Sequence, residues 1–277
     1  MTTTEQFSTA GRDLETAHRA IWGLGDYPAI ANDLVAPLGA ELVAAAGIGA
    51  GIRVLDVAAG TGNAAIPAAA TGARVVASDL VPALLAEGAR HALALGVDIT
   101  WQEANAEALP YTDGEFDTVM SCIGVMFAPH HQLAADELIR VVRPGGTIAV
   151  LSWTPGGFVG GMFAAMRPFV APPPPGISPP PLWGDPGHVA ALFADRVTDL
   201  VMTPRFLTVD RFDDGAQFRD YFKATYGPVI NAYRGIADRP EKVAALDAAL
   251  AELGDTALDS APAMGWEYLL VTARRAE

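Results

Sequence analysis

The chain is built from short apolar blocks, each closed by glycine, proline or a polar turn, and from residue 52 onward these blocks alternate with segments of helical spacing. Ile52–Val57 reads as an apolar strand, followed by a glycine turn and an alanine-rich helix from about Asn63 to Ala70. Arg74–Asp79 is the second strand. Pro82-Ala83-Leu84-Leu85 opens the next helix, with Pro82 in a first turn where its missing N–H is not needed. Val97–Gln102 and Phe116–Cys122 read as the third and fourth strands. Leu133–Val142 is an amphipathic helix that Arg143-Pro144-Gly145-Gly146 stops, and Thr147–Trp153 is the fifth strand. Strands and helices in this rhythm predict right-handed βαβ units, hence an α/β fold with a parallel sheet covered on both faces.

The flanks differ from this middle. Residues 1–50 carry alanine and leucine at helical spacing, with breaks at Gly25, Pro28 and Pro37. Residues 155–187 are rich in glycine and proline, including Pro172–Pro175 and Pro179–Pro181, which predicts stiff, extended backbone. Phe158, Phe163, Phe169 and Trp183 within that tract predict that it packs as a lid. A strand near 200–209, helices near 214–224 and 238–254, and a last strand at Trp266–Ala273 bring the strand count to seven. The expected organisation is an N-terminal helical cap (1–50), a cofactor-binding core (51–153), and a substrate-side lid with C-terminal strands of the same domain (154–277).

Composition narrows the function. With 18 basic and 32 acidic side chains the formal charge is −14, which argues against nucleic acid as a partner, because binding a phosphate backbone rests on clustered Lys and Arg. The single cysteine, Cys122, excludes an internal disulfide and a cysteine-based zinc cluster. The first residues lack the basic-then-apolar layout of a secretion signal, and no uncharged apolar run reaches the ~18–20 residues of a membrane span. A cytoplasmic protein with no membrane span is expected.

Chemistry concentrates at Val54-Leu55-Asp56-Val57-Ala58-Ala59-Gly60-Thr61-Gly62-Asn63, where an apolar strand runs into a two-glycine turn and then a helix. Such a turn lets the backbone approach a ligand. Asp79 follows nineteen residues after Gly60, at the end of the second strand, where a carboxylate accepts from both hydroxyls of a ribose. Two cofactors compete for this crevice. Gly60-Thr61-Gly62-Asn63-Ala64-Ala65 fits the dinucleotide fingerprint of an NAD(P)-dependent oxidoreductase. Asp56, an acid at the approach to the turn, opposes a pyrophosphate and favours a ligand bearing an ammonium and a sulfonium, such as S-adenosylmethionine.

Asp56–Gly62 resembles the first motif of the class I S-adenosylmethionine-dependent methyltransferases, and Val76-Ala77-Ser78-Asp79-Leu80 the second. Glu103-Ala104-Asn105-Ala106-Glu107-Ala108-Leu109-Pro110 and Phe116-Asp117-Thr118-Val119 resemble the third and fourth. Arg143-Pro144-Gly145-Gly146-Thr147 resembles the turn before the fifth strand. The likeness is to the branch that includes the ubiquinone and menaquinone biosynthesis methyltransferases. It implies a doubly wound, Rossmann-like, seven-stranded, mostly parallel sheet, S-adenosyl-L-methionine as cofactor, and methyl transfer to O, N or C of a small molecule. By position, Gly60 and Gly62 approach the methionine and ribose parts and Asp56 helps to hold the methionyl end. Asp79 takes the ribose hydroxyls and Leu80 packs on the adenine. The Asn105 side chain and the Ala106 backbone read the adenine edge, and Ser121 and Cys122 lie near the methionine amine and sulfonium. Two positions depart from the family pattern. Ala58 replaces a glycine, which is harmless with a negative φ, and Asn105 stands where an aspartate is common. Because function lives in the site rather than the fold, a protein that retains the cofactor for a non-methylating role fits the same motifs.

Around the crevice, Tyr27 with Trp22 is placed to cover the sulfonium by a cation–π contact. Trp22, Met126, Phe127, Phe158, Met162, Phe163, Tyr221, Tyr226 and Tyr233 are the expected acceptor lining, an apolar and aromatic set suited to a small-molecule acceptor. His130 and His131, just past the fourth strand, are weak candidates for taking a proton from the acceptor, and helix initiation after Pro129 is the favoured reading of both. His18 and His91 fall in helical segments and are expected at the surface. No metal site is expected, since adjacent histidines point apart.

Overall fold

The structure, a computed structural model, describes residues 9–259 and 263–277; residues 1–8 of the expected cap and 260–262 of the C-terminal segment lie outside the described residues. Helix α1 (Thr9–Trp22) leads to the short α2 (Tyr27–Ile30), which continues through a π turn at Ala31–Val35 into α3 (Ala36–Ala45). The Asp26 carboxylate caps α2 by accepting from the Ala29 N–H at 3.1 Å, so a break follows α1 where Gly25 and Pro28 predict one.

The α/β core then alternates: β1 (Arg53–Val57), α4 (Ala65–Ala70), β2 (Arg74–Asp79), α5 (Pro82–Ala94), β3 (Ile99–Glu103), β4 (Phe116–Cys122), α6 (His131–Val141) and β5 (Val142–Trp153). After it come α7 (Phe158–Met166), α8 (Pro186–Phe193), β6 (Val197–Val209), α9 (Gly215–Thr225), α10 (Gly227–Gly235), α11 (Pro240–Asp259) and β7 (Met264–Arg275). The seven strands form one sheet in the order β3-β2-β1-β4-β5-β7-β6. Neighbours from β3 to β5 are parallel, and β7 inserts antiparallel between β5 and β6. The predicted doubly wound, mostly parallel sheet is the observed one. Its central strands are wholly buried at Val54, Leu55, Val119, Met120 and Ile148–Leu151, as strands covered on both faces must be.

Local chemistry moved several boundaries. Val142 is already extended and pairs with Phe116, so Arg143-Pro144-Gly145-Gly146 forms an irregularity inside β5 rather than a loop before it. The Asp117 carboxylate holds that irregularity, accepting from Arg143 Nε at 2.7 Å and from the Arg53 N–H at 2.9 Å. The glycine- and proline-rich tract is less extended than its composition predicts. The apolar run Phe158–Met166 folds as α7, and Asp185 caps α8 by accepting from the His188 N–H at 2.7 Å. Proline in the first turn of α8 and α10 starts helices rather than preventing them. The strap pins the loop after β4, since the Ser178 N–H donates to Pro129 O at 2.9 Å and Trp183 is fully buried.

The strand order reverses between β1 and β4, and the turns that leave these two strands meet there. Ala58 and Ile123 both adopt positive φ, +54° and +62°, at a cost of ~1–2 kcal/mol each. The negative φ that would make alanine harmless at position 58 is therefore not found; the turn bends left-handed there to clear the incoming Gly124 backbone. A Cβ on Gly124 would stand 2.2 Å from Ala58 O. Gly124→Ala should accordingly lower stability by about 2–3 kcal/mol, the upper part of the overpacking range, measurable as a shift of the urea midpoint.

Candidate cofactor and active site

A cavity of about 400 Å³ opens at the carboxyl ends of the parallel strands and is roofed by α1 and α2. Its floor is the corner after β1. Gly60, with φ +56° and open space where a Cβ would lie, presents bare backbone to the cavity. Asp79 ends β2, and its two oxygens accept from the Gly60 N–H at 2.8 Å and the Val81 N–H at 2.9 Å. Burial pushes this carboxyl up, while the N–H groups of Val81, Gly60 and Leu80 draw it back. Leu80, Asn105 and Ala106 continue the wall toward the β3 side.

Asp56 lies behind the wall, 1% exposed, with no hydrogen bond to either carboxylate oxygen. Burial pushes its pKa up to about 8; the nearby Ala65 N–H, outside hydrogen-bonding geometry, offsets part of the rise, and the Asp79 charge adds to it. Cys122, which does line the cavity, feels the Asp56 charge, and its thiol is raised by burial first and by that charge second. A thiolate nucleophile is therefore disfavoured. An orphaned buried acid beside a cavity that no described lysine or arginine side chain lines is a chemical match for a cationic ligand.

Toward β4 the wall is aromatic. Trp22 stands 4.4 Å from Phe127, 5.6 Å from Tyr27 and 6.2 Å from Tyr226, ring centre to ring centre. Phe222 links Tyr226 to Trp266 at 5.7 and 5.8 Å, and Trp153 joins Trp266 at 5.8 Å.

Of the residues expected at the site, the fold brings Trp22, Tyr27, Ala58, Gly60, Asp79, Leu80, Asn105, Ala106, Cys122, Phe127, His130, Met162 and Tyr226 onto this one cavity. Others it places elsewhere. Asp56 is screened from the cavity as described. Gly62 instead packs under Trp101, whose ring would lie 2.7 Å from a Cβ there. Ser121 is spent on structure, donating to Val57 O at 2.6 Å and accepting from the Val125 N–H at 2.8 Å. Met126 is wholly buried, and Phe158 stacks on Trp266 at 5.3 Å, away from the cavity wall. Phe163, Tyr221 and Tyr233 do not line it either.

The two adjacent histidines separate. His131 is 1% exposed, its Nδ1 3.0 Å from His188 Nε2 and its Nε2 3.2 Å from Met126 O, and burial pushes its pKa down to about 4. It ties α6 to α8 and reaches no ligand space. His130 does line the cavity, with its N–H donating to Glu107 at 2.6 Å and its Nδ1 3.0 Å from the other Glu107 oxygen. His18, expected at the surface, also lines the cavity, and burial lowers its pKa against the raising influence of Glu107. Sequence reasoning also passed over Glu15, Glu107, Trp153, Phe222 and Trp266. The one available signal was Glu107, which stands within the third motif.

Residues 54–146 match the model of a methyltransferase domain. Over 260 residues, 94% of both chains, the protein is 54% identical to the uncharacterized protein Rv1403c of Mycobacterium tuberculosis. A demethylmenaquinone methyltransferase of Thermus thermophilus is 42% identical over 105 residues, 37% of this chain and 48% of that one. Among solved structures, YcgJ from Bacillus subtilis superposes with a TM-score of 0.60 at 17% identity, covering 86% of this chain and 98% of its own. The chain belongs to the class I S-adenosylmethionine-dependent methyltransferases, Rossmann-like enzymes of which S-adenosyl-L-methionine is the cofactor. The nicotinamide reading of the glycine turn is thereby set aside.

Two measurements follow. Asp79→Ala should weaken S-adenosylhomocysteine binding by about 1.5–3 kcal/mol in calorimetry, the worth of a hydrogen bond to a charged group. Asp56 should make the free protein lose stability as pH rises. Above about 3.9 the unfolded chain releases this proton while the folded chain keeps it until about 8, so the contribution is complete below the first value and gone above the second. Melting temperatures of Asp56→Asn should fall less steeply across that window; equal slopes would remove Asp56 as the cause.

Proposed function

We propose that the enzyme transfers methyl to O, N or C of a small, apolar or aromatic metabolite. When bound, S-adenosylmethionine supplies a methyl group that its sulfonium makes electrophilic, and the acceptor displaces S-adenosylhomocysteine in line. The protein's part is to hold and to shield. Asp79 takes the ribose, Gly60 lets the backbone come close, and Leu80 covers the base. Asp56, which keeps its proton to about pH 8 in the free protein, is drawn toward its carboxylate form by the positive charge and answers it from behind the wall. Trp22 and Tyr27 on the roof exclude water and face the cation with aromatic surface, worth up to ~2 kcal/mol when desolvated. Fixing the reactants in line removes much of the entropic barrier, so no metal and no strong base is needed.

The observation that carries the acceptor class is the continuous run of rings from Trp22 through Tyr226 and Phe222 to Trp266 on a wall without described lysine or arginine side chains. A phosphorylated or carboxylated acceptor would find no cation there, and a nucleic acid would meet a chain of net charge −14. Among the described residues no helix is long and apolar enough to cross a membrane; a cytoplasmic location accords with that reading.

The test offers methyl-labelled S-adenosylmethionine with neutral phenols, aromatic heterocycles and aliphatics beside phosphorylated and carboxylated acceptors, reading products by mass spectrometry. Transfer confined to anionic acceptors refutes the proposal; binding of the cofactor with no transfer across the panel favours the non-methylating role. Phe127→Ala should raise the acceptor KM about tenfold and leave S-adenosylhomocysteine affinity within about twofold, since the ring belongs to the acceptor end.

A further inference from the structure

S-adenosylmethionine is a linear molecule in which ribose separates the sulfonium from the adenine. With the ribose at Asp79 on β2 and the strands ordered β3-β2-β1-β4, the methionyl end falls toward β4 and the base toward the end of β3. Adenine shows there an amine that donates and a ring nitrogen that accepts, so its recognition calls for an acceptor oxygen with spare capacity.

Three described carboxylates line the cavity. Asp79 holds the Gly60 and Val81 N–H groups and, in the reading proposed above, faces the ribose rather than the base. Glu107 is committed to His130, through the backbone N–H and Nδ1. The side-chain oxygen of Asn105 closes its own turn, accepting from the Glu107 N–H at 2.9 Å. The third carboxylate comes from the roof. Glu15, on α1, accepts from Asn105 Nδ2 at 3.1 Å and pairs with Arg19 at 3.3 Å, and it stays 31% exposed. Like Asp79 and Glu107 it makes two bonds and keeps about two of its four acceptor sites; what sets it apart is its place, because among the described carboxylates of the cavity it is the one that bonds the Asn105 side-chain amide at the β3 end. One turn further along, Arg19 donates to Glu103 at 2.6 Å, so α1 is anchored on both sides of the β3 end.

We propose that Glu15, held against Asn105 by the docking of α1, is the specificity-determining residue that accepts the adenine amine. The carboxylate at the β3 end is thus delivered from the roof helix, and base recognition and closure of the cavity become one event. The inference rests on the cofactor and is independent of which acceptor is methylated.

Calorimetry with S-adenosylhomocysteine and its hypoxanthine counterpart, S-inosylhomocysteine, tests it on the full chain. Hypoxanthine places a carbonyl where adenine has the amine, so a carboxylate there repels it. The wild-type protein should prefer the adenine compound. Glu15→Gln should weaken S-adenosylhomocysteine about tenfold and narrow that preference, the low end for a charged hydrogen bond because the site is partly exposed. The double variant Glu15→Gln/Asn105→Asp exchanges amide and carboxylate while keeping a hydrogen bond between the two positions, and should recover both affinity and preference. Glu103→Ala, which removes the anchor and leaves the Arg19–Glu15 pair in place, should weaken the two compounds by the same factor. Equal weakening of both compounds by Glu15→Gln, or failure of the exchange to restore the preference, overturns the proposal and leaves Glu15 as a fastener of α1. A wild-type protein that binds neither compound overturns the cofactor assignment with it.

Discussion

The Asp79 carboxylate is shared between the end of β2 and the corner that follows β1, through the N–H groups of Val81 and Gly60. This one side chain sets where the glycine backbone stands relative to the neighbouring strand, and so sets the width of the crevice. Its cost is desolvation of a charge, which the two backbone donors offset.

Around that clamp the protein keeps several unfavourable features. Asp56 is buried without hydrogen bonds, and Ala58 and Ile123 are left-handed where their side chains oppose it. All three stand at or beside the ends of β1 and β4, and each is a local loss that the packed sheet supports. The crossing of the two turns is the common cause: Gly124 backbone lies on Ala58, which forces both bends and brings Cys122 and Ile123 onto the cavity. The aromatic wall completes the enclosure, drawing Trp22 from α1, Phe127 from the loop after β4, Phe222 and Tyr226 from the end of α9, and Trp266 from β7.

Much of this was legible in residue order. Short apolar blocks and glycine turns mark the five parallel strands because each is covered on both faces, and the motif from Asp56 to Gly62 marks the corner because its two glycines let the backbone turn there. Less legible were α7 and α10, since proline and glycine read as breakers unless their position in a first turn is known. The histidine pair shows the same limit. His130 and His131 are adjacent in sequence, yet one faces the cavity and the other is locked to His188, fifty-seven residues away.

The sequence by itself determined the class, the cofactor and the alternation of strands and helices that forms the crevice, because those depend on local patterns a few residues long. Tertiary structure alone decided that Ser121, Met126 and Phe158 turn inward, that Gly62 serves Trp101, and that Glu15 and His18 reach a wall built from residues about ninety positions later. The physical reason is that a helix roof chooses its contacts by docking. Its spacing announces an amphipathic face, but which partner that face meets is settled only when the sheet beneath it exists.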